Sequence, residues 1–128
     1  MLAHTAQAIE PPIFVADADY EALSKIANDS PSPGAALLRQ ELERATVVTD
    51  GDGFVRLNAT VEFTDLTSGR RRIVTLVGPG EADMDANRLS VTAPAGAALL
   101  GLRPGDVFSW TFDGRRRVLT VNRIVETS

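Results

Sequence analysis

Hydrophobic positions recur at two different periods along this chain, and the change falls near Thr46. Before it, Tyr20, Leu23, Ile26 and Ala27 lie three and four apart, the mark of an amphipathic helix, with Asp17 as its candidate N-cap. Asn28-Asp-Ser-Pro-Ser-Pro-Gly34 must interrupt that helix, because two prolines and a glycine cannot continue it. Ala35, Leu38, Leu42 and Ala45 repeat the spacing in a second helix, with Ser32 as candidate cap and Pro33 suited to the first helical position. Two helices joined by a short break predict an antiparallel hairpin over residues 13–46, each burying its stripe against the other. Ile13-Phe14-Val15 predicts a short extended piece, and residues 1–12, with two prolines, a flexible leader.

After Thr46 the period is two. Val47-Val48 and the runs 55–63, 73–77, 89–91, 107–112 and 118–125 are β-branched or aromatic and are separated by Gly and Asp. Ser68-Gly69 and Asp113-Gly114 are turn dipeptides between such runs, and each predicts a hairpin. One short helix interrupts the strands: Pro94 suits its first turn, Ala97, Ala98, Leu99 and Leu100 are strong helix formers, and Gly101 can take positive φ and stop it. Arg103-Pro-Gly-Asp106 reads as the turn that launches the next strand. The predicted class is α+β, a helical hairpin followed by an antiparallel sheet with one covering helix.

The segment Arg88-Leu-Ser-Val-Thr-Ala-Pro-Ala-Gly-Ala-Ala-Leu-Leu-Gly-Leu-Arg-Pro-Gly-Asp106, with Val77-Gly-Pro-Gly-Glu-Ala-Asp83 before it, resembles the C-terminal domain of the bacterial transcript-cleavage factors GreA and GreB. Leu89-Ser90-Val91, Ala93-Pro94, Gly96-Ala-Ala-Leu-Leu-Gly-Leu-Arg103 and Gly105-Asp106 are similar to a shortened group of that family, the Rnk regulators of nucleoside diphosphate kinase. Leu42-Glu43-Arg44-Ala45 and Arg72-Ile-Val-Thr-Leu-Val77 also fit, so several separated blocks occur in the family's order. The resemblance implies a Gre C-terminal domain of FKBP-like fold over residues 47–128, behind a short coiled-coil hairpin over 13–46.

It also implies a function. The expected partner is RNA polymerase, met at the rim of its secondary channel, with Glu81, Asp83, Asn87, Ser90, Ala93 and Pro94 near it. Such a protein regulates transcription elongation, competes with Gre-type factors for that site, and acts on nucleoside diphosphate kinase level indirectly. In Gre factors, acidic residues at the tip of a long coiled coil hold a metal ion at the polymerase active centre. Here the tip is Asn28-Asp29-Ser30, with Asp29 alone, and each helix of about 11 residues reaches only on the order of 16 Å. Stimulation of transcript cleavage is therefore not expected, and Asp29 also reads as a turn or capping residue ahead of Ser30-Pro31.

Charge and composition narrow the alternatives. A chain of 128 residues can build one cored domain with an appendage. Its net charge of −4 argues against a dedicated duplex-nucleic-acid binder, so sequence-specific DNA binding is not expected. With no cysteine and one histidine, His4, no metal site is predicted; Gly78-Pro-Gly80 lacks the Lys-Ser/Thr ending of a phosphate loop, and no cofactor is implied. No signal peptide or membrane span is visible, which predicts a cytoplasmic protein. Two arginine triplets, Arg70-Arg71-Arg72 and Arg115-Arg116-Arg117, follow turn glycines. They read as solvated strand edges that resist pairing, or as a footprint for an acidic partner or RNA phosphate.

No nucleophile motif supports an enzyme. A prolyl isomerase of FKBP-like fold remains an alternative, as does an interaction module outside transcription, and the oligomeric state is left open.

Overall fold

The computed structural model describes residues 10–126. Strand β1 (Phe14–Ala16) leads directly into helix α1 (Asp17–Asp29). Asp17 is the first helical residue, not the cap: Ala16 takes the cap position with no side-chain bond, and Asp17 and Asp19 instead place negative charge against the helix N-terminus. Ser30, in extended conformation before Pro31, ends the helix. Helix α2 (Ala35–Arg44) starts later than Ser32-Pro33 predicted, with Gly34 at the cap position; Ser32 contributes its backbone carbonyl to the Ala35 N–H.

Strand β2 (Thr46–Val48) returns beside β1 in a two-stranded parallel sheet. The main sheet contains β3 (Thr60–Asp65), β4 (Arg70–Val77), β5 (Arg88–Ser90), β6 (Val107–Phe112) and β7 (Arg115–Glu126), in the order β5-β4-β3-β7-β6. Both predicted hairpins form. Gly69 closes β3–β4 at φ 80°, and Asp113 and Gly114 close β6–β7 with φ 55° and 78°, the paired positive values of a tight hairpin turn. The expected strand at 55–63 begins only at Thr60, because Phe54–Ala59 is an irregular segment that buries Phe54, Val55 and Ala59 and turns at Asn58 with φ 74°. The sheet is mostly antiparallel, but β5 lies parallel to β4.

Helix α3 (Pro94–Leu99) packs on the sheet, and its Gly96 is required: a Cβ there would overlap the Ser90 carbonyl. Gly101 takes the expected positive φ of 83°, and its carbonyl accepts the Phe14 N–H at 3.1 Å, tying the start of the chain to the end of α3. One core spans everything. Leu23, Leu38 and Leu42 of the hairpin join Leu99 of α3 and Val61, Leu76 and Leu119 of the sheet, all with 4% exposure or less. Each such leucine contributes about 1.5–3 kcal/mol by leaving water.

The hairpin therefore does not stand away from the sheet as a free arm. Its far end lies against the sheet domain, where Gly34 meets the backbone of Thr92 to Pro94 and Ile26 lies beside Gly78. Its flank is held by Arg56, whose guanidinium donates to both oxygens of Asp19 at 2.8 and 3.0 Å.

Candidate partner-binding site

The segment between β4 and α3 holds the residues singled out for partner contact. After Val77 the chain makes two one-turn 3-10 helices, Pro79–Glu81 and Met84–Ala86. The Asp83 carboxylate caps the second by accepting the Asp85 N–H at 3.1 Å, and Asp83 exchanges two backbone bonds with Arg88. Asn87 takes the left-handed conformation, φ 58°, that asparagine tolerates better than most residues, and its carbonyl accepts the Thr75 N–H. Glu81, Asp83 and Asn87 are thus exposed on one ordered loop.

Ser90 differs from them. Its hydroxyl accepts the Thr92 N–H at 3.0 Å and shares a 2.7 Å hydrogen bond with the Thr92 hydroxyl, so it shapes the strand-to-helix corner from within. Ala93 and Pro94 follow, half-buried, at the start of α3. Asp29 lies at the end of α1, paired with Lys25 at 2.8 Å. A groove lined by Ile26, Asp29, Pro31 and Pro79 brings the hairpin break beside the loop that begins at Pro79, a proximity the sequence did not show.

The arginine triplets meet at one end of the sheet. Asp65, the last residue of β3, is paired with Arg70 on β4 and with Leu119 on β7, which places Arg115 to Arg117 just beyond it. Alternation sends their members to opposite faces. On the outer face Arg71 approaches Glu62 at 3.9 Å and Arg116 reaches the Ser109 hydroxyl. On the inner face Arg117 pairs with Asp65 at 3.3 Å. A β-bulge opposite Glu62 lets both Asn122 and Arg123 donate to its carboxylate.

These contacts fix the charge state of the two acids. The hydrogen bond from Asn122, then that from Arg123, outweighs partial burial and holds the Glu62 carboxyl below the usual range. Burial tends to raise Asp65, but the N–H groups of Thr67 and Ser68, together with Arg117, win and hold it low.

Beside Asp65 and Arg117 the inner face opens into a cavity of about 250 Å³, with Phe63, Trp110, Phe112 and Leu119 on the sheet side and Ala93, Pro94 and Ala95 on the helix side. Trp110 stacks on Phe108 at 5.8 Å, and its indole N–H is the one buried side-chain polar group without a partner among the described residues. Sequence reasoning missed this cavity, although Phe108, Trp110 and Phe112 alternate along one strand and so share a face. Among the described residues no cluster of three or more His, Cys, Asp or Glu could hold a metal ion, and no helix is long and apolar enough to cross a membrane. His4 lies outside the described residues.

Residues 48–126 match the family described as transcription elongation factor GreA/GreB, C-terminal, and residues 11–48 match the Rnk N-terminus. The chain belongs to the GreA/GreB family, in its Rnk group. The regulator of nucleoside diphosphate kinase of Escherichia coli K12 is 38% identical over 111 residues, 81% of each chain. A transcription inhibitor protein Gfh1 of Thermus thermophilus is 40% identical over 88 residues, covering 66% of this chain and 56% of that one. A solved GreA/GreB elongation factor from Nitrosomonas europaea superposes with a TM-score of 0.68 at 31% identity, over 91% of this chain and all of the other. These relatives are regulators and transcription factors, and this Rnk-group chain is a Gre-like transcription factor.

In this Rnk-group member the break between the family matches falls at residue 48, the end of β2, where the helical period gives way to the sheet.

Proposed function

We propose that this protein binds RNA polymerase at the rim of the secondary channel through the exposed loop carrying Glu81, Asp83 and Asn87 and the corner at Ala93-Pro94, and regulates elongation without stimulating transcript cleavage. The observation that carries the second half is the hairpin: α1 and α2 have 13 and 10 residues, and their far end is held against Thr92 and Pro94. In Gre factors the tip of a long coiled coil reaches into the enzyme and presents neighbouring acids. Asp29 is a single carboxylate already paired with Lys25. Support for the first half comes from membership of the GreA/GreB family and from the order of the loop, whose exposed groups are fixed by backbone bonds before any partner arrives.

Bound there, the protein would compete with longer Gre-type factors, and a change in nucleoside diphosphate kinase level would follow indirectly through transcription. The test is binding of labelled protein to core polymerase, with excess GreA as competitor, beside a cleavage assay on backtracked complexes. Displacement by GreA with no cleavage supports the reading. No binding at micromolar concentration, or cleavage above background, overturns it.

A second reading, prolyl isomerase activity, gains one observation from the aromatic-lined cavity at Trp110. A peptide isomerisation assay with Trp110→Ala as control tests it.

A further inference from the structure

We infer that the cavity at the arginine end of the sheet is a peptide-anchoring site, which takes one apolar side chain from an acidic segment of a partner protein. This extends the docking reading by naming what the partner carries. The floor is aromatic, Phe63, Trp110 and Phe112, and its volume of about 250 Å³ suits a single large apolar side chain. Its surroundings are cationic. Phe112 is paired in register with Arg115, and Asp65 with Arg70, so both arginines flank residues that line the opening.

Strand alternation puts Arg70, Arg72, Arg115 and Arg117 on the same face as the cavity. Of these, Arg117 is answered by Asp65, while Arg70, Arg72 and Arg115 have no ion pair among the described residues. Six arginines gather at this end against Glu62, Asp65 and Asp113, in a chain whose net charge is −4. Charge concentrated against the sign of the whole molecule selects an acidic partner.

Trp110 is the only tryptophan, so its fluorescence reports the cavity directly. The experiment titrates the intact protein with a blocked peptide carrying one leucine flanked by aspartates and glutamates. Three further probes are the same peptide with alanine in place of leucine, one with lysines in place of the acids, and a uridine oligonucleotide. Saturable change with the acidic leucine peptide alone is the expected result. Arg115→Ala, at an exposed position, should weaken it about tenfold and reduce its salt dependence.

Equal binding of the lysine peptide, saturation by the oligonucleotide instead, or no change with any probe at millimolar concentration overturns the proposal. Ala95→Leu, which narrows the opening, should abolish the signal while an unchanged melting temperature shows that the fold is kept. No polymerase is present, so failure here and failure of polymerase binding are separate results.

Discussion

Gly34 lies so close to the carbonyl of Thr92 that a single methyl group added to it would overlap that oxygen and lie 2.7 Å from the Pro94 nitrogen. Two stretches almost sixty residues apart are thereby held in backbone contact, which is how the hairpin is seated on the α3 corner. Gly34→Ala should cost about 1–3 kcal/mol, the usual penalty of forcing atoms into a packed site. Gly80→Ala, where nothing lies within 4 Å, should change stability by no more than about 0.5 kcal/mol. Urea unfolding of the two variants checks the contrast; equal effects would show that the contact at Gly34 is not tight.

Ser90 and Glu81 should separate folding from binding. Ser90→Ala removes two hydrogen bonds to Thr92 and should lower stability by about 1–2 kcal/mol, so any loss of polymerase affinity there comes with a lower melting temperature. Glu81→Lys reverses an exposed charge with no ion pair among the described residues. It should leave the melting temperature in place and reduce polymerase binding about tenfold, read in the same competition assay.

Asp29→Ala should leave polymerase binding unchanged and transcript cleavage at background, since its carboxylate is engaged only with exposed Lys25. The exposed pair contributes less than about 1 kcal/mol, so the melting temperature should scarcely move. A cleavage assay on backtracked complexes with the unsubstituted chain is the reference, and any cleavage that the substitution removes would contradict the reading.

The acids make opposite predictions for pH. Glu41 is almost wholly buried beside Arg44, and burial, only partly offset by the Arg44 hydrogen bonds, pushes its carboxyl above the ordinary value of 4.5. A raised folded value means that the native state holds the proton more tightly than the unfolded chain. This group's contribution is therefore most favourable below the ordinary range and declines as pH rises through the raised one. Glu62 and Asp65 are held low, so their stabilisation is present above the ordinary range and is lost as pH falls through the depressed values. Glu41→Gln should flatten the decline on the alkaline side of pH 4.5, and Asp65→Asn should reduce the loss on the acid side. Thermal unfolding across that span measures both.

Local rules made the hairpins, α3 and its Gly101 stop readable, because each depends on residues adjacent in sequence. The late start of β3 was hidden, since Phe54 and Val55 are apolar for burial in a loop and carry no mark that distinguishes this from a strand. The parallel pairing of β5 was hidden too: a period of two says which face a side chain takes and nothing about the neighbour's direction. The loop from Glu81 to Asn87 and the Ala93-Pro94 corner were singled out by family resemblance alone, and their contact with a partner is the proposal above. The cavity was not legible, because Phe63, Pro94, Trp110 and Leu119 are gathered from four separate elements. The meeting of the two arginine triplets follows only once β3 is known to lie between β4 and β7.

The attachment of the hairpin at both its ends bears on how this protein comes apart. Phe14 is bonded to Gly101 at one end and Gly34 abuts Thr92 at the other, while Leu38 and Leu42 share a core with α3 and the sheet. Releasing the helices would bare those leucines to water and uncover the sheet beneath α3 at the same moment. The helices and the sheet should accordingly exchange their amide hydrogens as one cooperative unit, and a helical arm that melts ahead of its body is not available to this fold.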